Sequence, residues 1–269
     1  MCRTRLHGGF FCAGVFPRFA YNSRIPIDQE NPMRLTRLLV HTRRHPSAVL
    51  LAAQLSGMAL YPFLERTQFG HVAFNVFGIV ILTFATNMVR RTPGHTWISA
   101  TLAVPIIALL TAQMLFGLSY LQPWSSGLEA LFYFYAAGSL IAYMMEDERA
   151  TTDELFAAGA TFTLLAWAFT HMYILLQEVQ PGTFAAAVNA GAPRTWTELN
   201  YLSFALLSST GIGDVIPLTA PARALASVEM LVGLMYLAVV VARLIAFTTR
   251  NRIEVGRARR RKLEEWEQD

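Results

Sequence analysis

The chain has 269 residues, of which 54% are hydrophobic and only 15% charged, and its mean hydropathy is +0.38. A soluble domain carries about a quarter charged residues, and here the apolar residues come in long blocks rather than amphipathic stripes, which excludes an ordinary soluble domain. The formal net charge of +4 does not indicate a nucleic-acid partner, because the basic residues stand between and after the apolar blocks, where they read as topology anchors.

Residues 1–46 have mixed character: Arg3 and Arg5, a short apolar patch around Phe10–Phe16, then a polar stretch to Pro32. The patch is short for a secretory signal and no clear small-residue cleavage site follows it. The expectation is a disordered cytoplasmic leader, with Met33 as an alternative start and a targeting role as the other reading. The two cysteines, Cys2 and Cys12, have neither metal-ligand spacing nor the arrangement of a disulfide framework.

Six apolar blocks follow: Ser47–Leu64, Gly70–Val89, Trp97–Tyr120, Leu128–Met145, Leu155–Gln177 and Ala224–Thr248. At a helical rise of about 1.5 Å per residue, each crosses most or all of a hydrocarbon core about 30 Å thick. The fold expected is an all-α membrane protein with six transmembrane helices. Leu128–Met145 holds no Arg or Lys, so the charge array of a voltage sensor is missing. The four-helix region 47–145 therefore reads as a scaffold, a lipid-facing collar or a sensor of another kind. In the fifth block His171 is alone on an apolar face and reads as a packing histidine, with a ligand or proton-relay role as the alternative.

Basic residues set the orientation. With both termini cytoplasmic, the inside collects Arg34, Arg37, Arg43, Arg44, Arg90, Arg91, Arg149 and the run from Arg250 to Lys262, while the outside keeps Arg66, Arg194 and Arg223. This positive-inside asymmetry places the chain in the cell membrane with the long link Glu178–Arg223 outside. The segment 250–269 becomes a basic cytoplasmic tail that can touch anionic lipid.

That outside link carries the chemistry. Trp196–Leu207 has helical apolar spacing but is too short to span a bilayer, and it leads into Ser208-Ser209-Thr210-Gly211-Ile212-Gly213-Asp214. A desolvating cation needs a column of carbonyl oxygens to replace its water. Consecutive carbonyls point one way only where the backbone alternates in handedness, which glycine permits cheaply. Gly211 and Gly213, at alternate positions, meet that demand. The short helix aims its partially negative C-terminus toward the same place, and non-helical backbone at membrane depth is tolerated only around protein or water.

The segment resembles the pore loop of the potassium channel family, whose filter reads T-V-G-Y-G followed by Asp. Ser209 stands at the Thr position, Thr210 at Val, Ile212 at Tyr, and Gly211, Gly213 and Asp214 match. The likeness continues through Val215-Ile216-Pro217 into Ala222–Ala246, which looks like the inner helix of bacterial channels with one pore loop per chain. What the resemblance implies is a pore module over 155–249: outer helix, re-entrant pore helix and selectivity filter, inner helix. It further implies a homotetramer conducting K⁺ passively, without catalysis or cofactor, through a ladder of the Ser209 hydroxyl and the carbonyls of Ser209, Thr210, Gly211 and Ile212. The three departures allow a weakly selective cation pore, Na⁺ included, as the alternative. Gly233 lies where the family's inner helix has its gating glycine; the other reading is close helix packing. Glu229, a turn above it, either faces the cavity or packs behind the filter as a hydrogen-bonded acid. Arg243 is expected to snorkel to the inner interface. A secondary transporter would need a matching broken segment in the first three blocks, and none is visible. An intramembrane enzyme would need a buried base beside a nucleophile, and His171 has no partner at motif spacing.

Overall fold

A computed structural model describes residues 46–64, 68–89, 96–146, 152–189 and 191–266. The leader, with Cys2, Cys12 and Met33, and the links holding Arg66, Arg90, Arg91 and Arg149 lie outside these residues. What is described is mostly helical: α1 (Pro46–Leu64), α2 (Gln68–Val89), α3 (Thr96–Phe116), α4 (Gln122–Glu146), α5 (Thr152–Val179), α6 (Trp196–Leu207) and α7 (Ala220–Trp266).

The helices are apolar on all sides, so the backbone satisfies its own polar groups and the scattered hydroxyls turn inward. Thr83, Thr101, Thr111, Ser139, Thr161 and Thr170 each donate to the carbonyl one turn back, on Ile79, Trp97, Ile107, Tyr135, Ala157 and Ala166. Such back-bonding lets a hydroxyl sit in an apolar helix without an orphaned donor. Among the described residues, four helices are long and apolar enough to cross a membrane, over Trp97–Phe116, Gln122–Met145, Thr152–Val179 and Ala220–Ile245.

The hub is α5, which packs against α4, α1, α6 and α7. Its middle is buried almost without interruption, from Ala160 through His171. At its start, Asp153 accepts from the backbone N–H (3.2 Å) and hydroxyl (2.8 Å) of Ser47, which ties α1 to α5.

The structure departs from the sequence reading at several helix ends and in one strand pair. The third block ends at Phe116, because Gly117 takes a left-handed φ of 64° and Tyr120 falls in a short 3₁₀ turn, Ser119–Leu121. α4 begins at Gln122 rather than Leu128. The last helix continues to Trp266, so the basic tail begins as an extension of that helix. The strand pair corrects the all-α expectation: Phe184–Ala186 (β1) pairs antiparallel with Val215–Pro217 (β2). Both segments leave helical backbone, and pairing supplies the hydrogen bonds that their N–H and C=O groups need. Flanking bonds from Ala187 N to Asp214 O (3.2 Å) and Leu218 N to Thr183 O (2.9 Å) extend the ribbon.

Candidate functional site

The short helix α6 starts where the sequence can cap it. Thr195 has extended backbone, its hydroxyl accepts from Glu198 N, and the Glu198 carboxylate accepts from Thr195 N, a reciprocal capping box. Arg194, just upstream, is buried. Its guanidinium donates to the carbonyls of Val188, Asn189 and Ala192 and pairs with Glu198. Its backbone exchanges two bonds with the Gln177 side chain at 2.8 and 3.0 Å, which holds the α6 start to the end of α5. Nothing in the sequence singled Arg194 out for this work, because its partners are main-chain carbonyls of a loop without a motif.

At its other end α6 runs into the glycine segment. Ser208 N donates to Phe204 O, Ser209 N to Leu206 O, and the N–H groups of Thr210 and Gly211 both donate to Ala205 O, at 2.9 to 3.0 Å. The segment is thus hung by its N–H groups from the last carbonyls of α6. Left-handed φ values recur at every second residue: Ser209 at 58°, Gly211 at 59° and Gly213 at 78°. Glycines were expected at two of these positions. Ser209 is a third, in a conformation that costs a side-chain-bearing residue on the order of 1 kcal/mol. Among the described residues, no donor is bonded to the carbonyls of Ser209, Thr210, Gly211 or Ile212. Ser208 through Asp214 are all exposed, Ile212 at 59%. The Thr210 hydroxyl finds a local partner, the Ser208 hydroxyl at 2.7 Å. Asp214 accepts from Val215 N at 3.0 Å. Tyr201, on α6, is exposed.

Behind this segment three helices meet at one carboxylate. Glu229 on α7 is fully buried and bonded to the hydroxyls of Tyr173 on α5 and Ser203 on α6, while Ser203 also reaches Ala166 O at 2.8 Å. Glu229 is therefore enclosed where α5, α6 and α7 meet. Gly233 stands against the last residue of α6: a Cβ there would meet Leu207 O at 2.3 Å and Leu207 Cα at 2.7 Å. α7 is continuous through it. Arg243 does not snorkel alone. It binds Glu154 at the start of α5, with Nη2 2.6 Å and Nε 3.0 Å from Oε2.

His171 is not alone either. Its Nδ1 lies 3.2 Å from Glu129 Oε2 on α4. The two residues are far apart in sequence, so no motif spacing could join them, and Glu129 sits inside a span whose distinguishing feature is its missing Arg and Lys.

Residues 130–250, from within α4 to the lower part of α7, match the model of one protein family. It is an ion channel family. The match covers α5, α6, the glycine segment and the apolar part of α7, and with the four apolar helices it supports a membrane protein with ion channel activity. No curated protein and no solved structure matches the chain.

Proposed function

We propose that the chain is a K⁺ channel subunit, four copies of which place Ser209–Asp214 around one axis so that K⁺ crosses passively through stacked carbonyl rings. The observation that carries this reading is the alternation of left-handed residues at Ser209, Gly211 and Gly213, joined to four successive carbonyls that accept no hydrogen bond among the described residues. Carbonyls left bare at membrane depth cost several kcal/mol each unless something polar replaces water. A permeating cation and the same segment of neighbouring copies supply that. In this arrangement α5 is the outer helix, α6 the re-entrant pore helix and α7 the inner helix of a pore module over 155–249, within a six-span chain with both termini cytoplasmic in the cell membrane. Glu229 serves as a structural acid behind the filter. Gly233 lets α7 lie against the pore helix, and the same contact is the place where a bend of α7 would release it.

A weakly selective pore is the second reading. Ile212 and Tyr201 are both exposed and make no bond to each other, so the filter lacks the aromatic brace that the family's Tyr provides.

Flux into liposomes tests both. Purified protein should pass K⁺ faster than Na⁺, and Gly211→Ala should abolish flux. Within one copy a Cβ at Gly211 meets no atom within 4 Å, so inside the subunit the substitution acts through the left-handed backbone rather than through crowding. A tetramer that passes neither ion sinks the channel reading, and equal K⁺ and Na⁺ rates favour the weakly selective one.

A further inference from the structure

A cavity of about 670 Å³ lies apart from the glycine segment, among α1–α5 at the end of the bundle that carries the start of α6. That volume is in the range of small-molecule sites. Among its lining residues, Tyr61, Phe77, Tyr133, Trp167 and Trp196 form a continuous chain of ring contacts. The Trp196 ring lies 4.7 Å from that of Tyr61 and 6.0 Å from that of Trp167, and Trp167 is 5.7 Å from Tyr133 and 6.4 Å from Phe77.

Among these rings is one carboxylate with almost no support. Glu129 lines the cavity and is 7% exposed, yet no hydrogen-bond donor among the described residues reaches it. His171 Nδ1 is at ion-pair distance, 3.2 Å, but out of line for a hydrogen bond. Arg194 also lines the cavity, but its guanidinium is taken up by three loop carbonyls and Glu198. The remaining titratable groups on the walls are Glu178 on α5, Tyr133 on α4 and Tyr61 on α1, while α2 and α3 contribute none. Among the described residues, the cavity thus has two carboxylates, a histidine and no free permanent cation.

We propose that this cavity binds a small organic cation, an aliphatic or benzylic ammonium whose charge sits against Glu129 and whose body lies among the rings. A buried carboxylate without donors is costly. An ammonium supplies both the opposite charge and the missing N–H groups, and the faces of Trp and Tyr rings attract the same charge. A bare metal ion fits less well, since the described residues hold no group of three His, Cys, Asp or Glu. An anion would meet Glu129 and Glu178.

Trp167 and Trp196 line the cavity, so intrinsic fluorescence of the full-length protein in nanodiscs reports occupancy whether or not the protein conducts. Titration with benzylammonium should give a saturable change that benzyl alcohol, its uncharged counterpart, does not. Glu129→Gln should weaken benzylammonium binding about tenfold or more. Superimposable curves for benzylammonium and benzyl alcohol overturn the proposal. So does a Glu129→Gln protein that elutes like wild type and binds as tightly. If that variant does not fold, the wild-type comparison decides, and benzyl alcohol binding as tightly as benzylammonium overturns the site.

Discussion

Two residues behind the glycine segment make the sharpest statements about single side chains. Gly233 faces backbone atoms of Leu207, which cannot rotate away as a side chain can, so Gly233→Ala must push α7 off α6. Overpacking of this kind costs about 1–3 kcal/mol, and a contact with fixed backbone belongs at the upper end. At Gly138 in α4 an added Cβ would meet nothing within 4 Å, so Gly138→Ala should be neutral or stabilise by about 0.5–1 kcal/mol. Thermal unfolding of both variants in one detergent checks the contrast, and equal melting temperatures would remove the packing role. At Glu229 the hydrogens can be counted. Ser203 has one hydroxyl hydrogen and two acceptors in reach, Ala166 O and Glu229. A proton on Glu229 gives every contact a donor: Glu229 to Ser203, Ser203 to Ala166, Tyr173 to the second carboxyl oxygen. Glutamine reproduces that pattern, its amide donating to Ser203 and accepting from Tyr173. Glu229→Gln should therefore stay close to wild type in stability, while Glu229→Ala, which orphans the buried Tyr173 hydroxyl and leaves a cavity, should lose about 2–4 kcal/mol. A Gln variant as unstable as the Ala variant would show that the negative charge itself is needed.

The element made of α6 and the glycine segment is held firmly at its start and loosely at its end. The capping box and the Arg194 cluster fix the first turn. At the other end, Ser208–Asp214 is held by four N–H bonds to α6 and by the Asp214–ribbon contact, with the Thr210 side chain bonded only to the Ser208 hydroxyl. The side chains that stiffen the family's filter, Val and Tyr, are Thr210 and Ile212 here. If stiffness rather than carbonyl field strength sets discrimination, a debated point, Thr210→Val combined with Ile212→Tyr should raise the K⁺/Na⁺ permeability ratio. The exposed Tyr201 is placed on the same element to take part in the brace. Bi-ionic reversal potentials measure the ratio. An unchanged or smaller ratio in a conducting double variant would show that the loosened scaffold is not what limits selectivity.

At the scale of the whole molecule, the chain leaves apolar surface on α7 that one copy cannot bury. Leu231, Leu234, Met235, Val241 and Ile245 are all exposed, as is the glycine segment itself. One such segment cannot surround an ion, and four can. The protein should purify as a tetramer of about 120 kDa, four times 30.0 kDa, and cross-linking in native membranes should reach that size. Cross-linked products that stop at dimer would end the four-fold pore.

The apolar blocks, the long fifth-to-sixth link and the short helix with its glycines were all legible in the sequence. Each is a local pattern: a run of apolar residues finds a helix, and alternate glycines permit alternate handedness. Helix ends were less legible: α4 starts at Gln122 rather than Leu128, and Gly117 with the 3₁₀ turn after it stops α3 inside an unbroken apolar run. Ser209 shows the same limit more sharply. Nothing in a serine announces a left-handed φ; the hydrogen bonds from residues 208–211 to α6 impose it. The ribbon between β1 and β2, the Glu229 contacts, the Arg243–Glu154 pair and the Glu129–His171 approach join residues from separate elements. Such contacts depend on which faces α4, α5, α6 and α7 turn toward one another. In helices that are apolar on every side no stripe announces that face, so only the packed structure decides it.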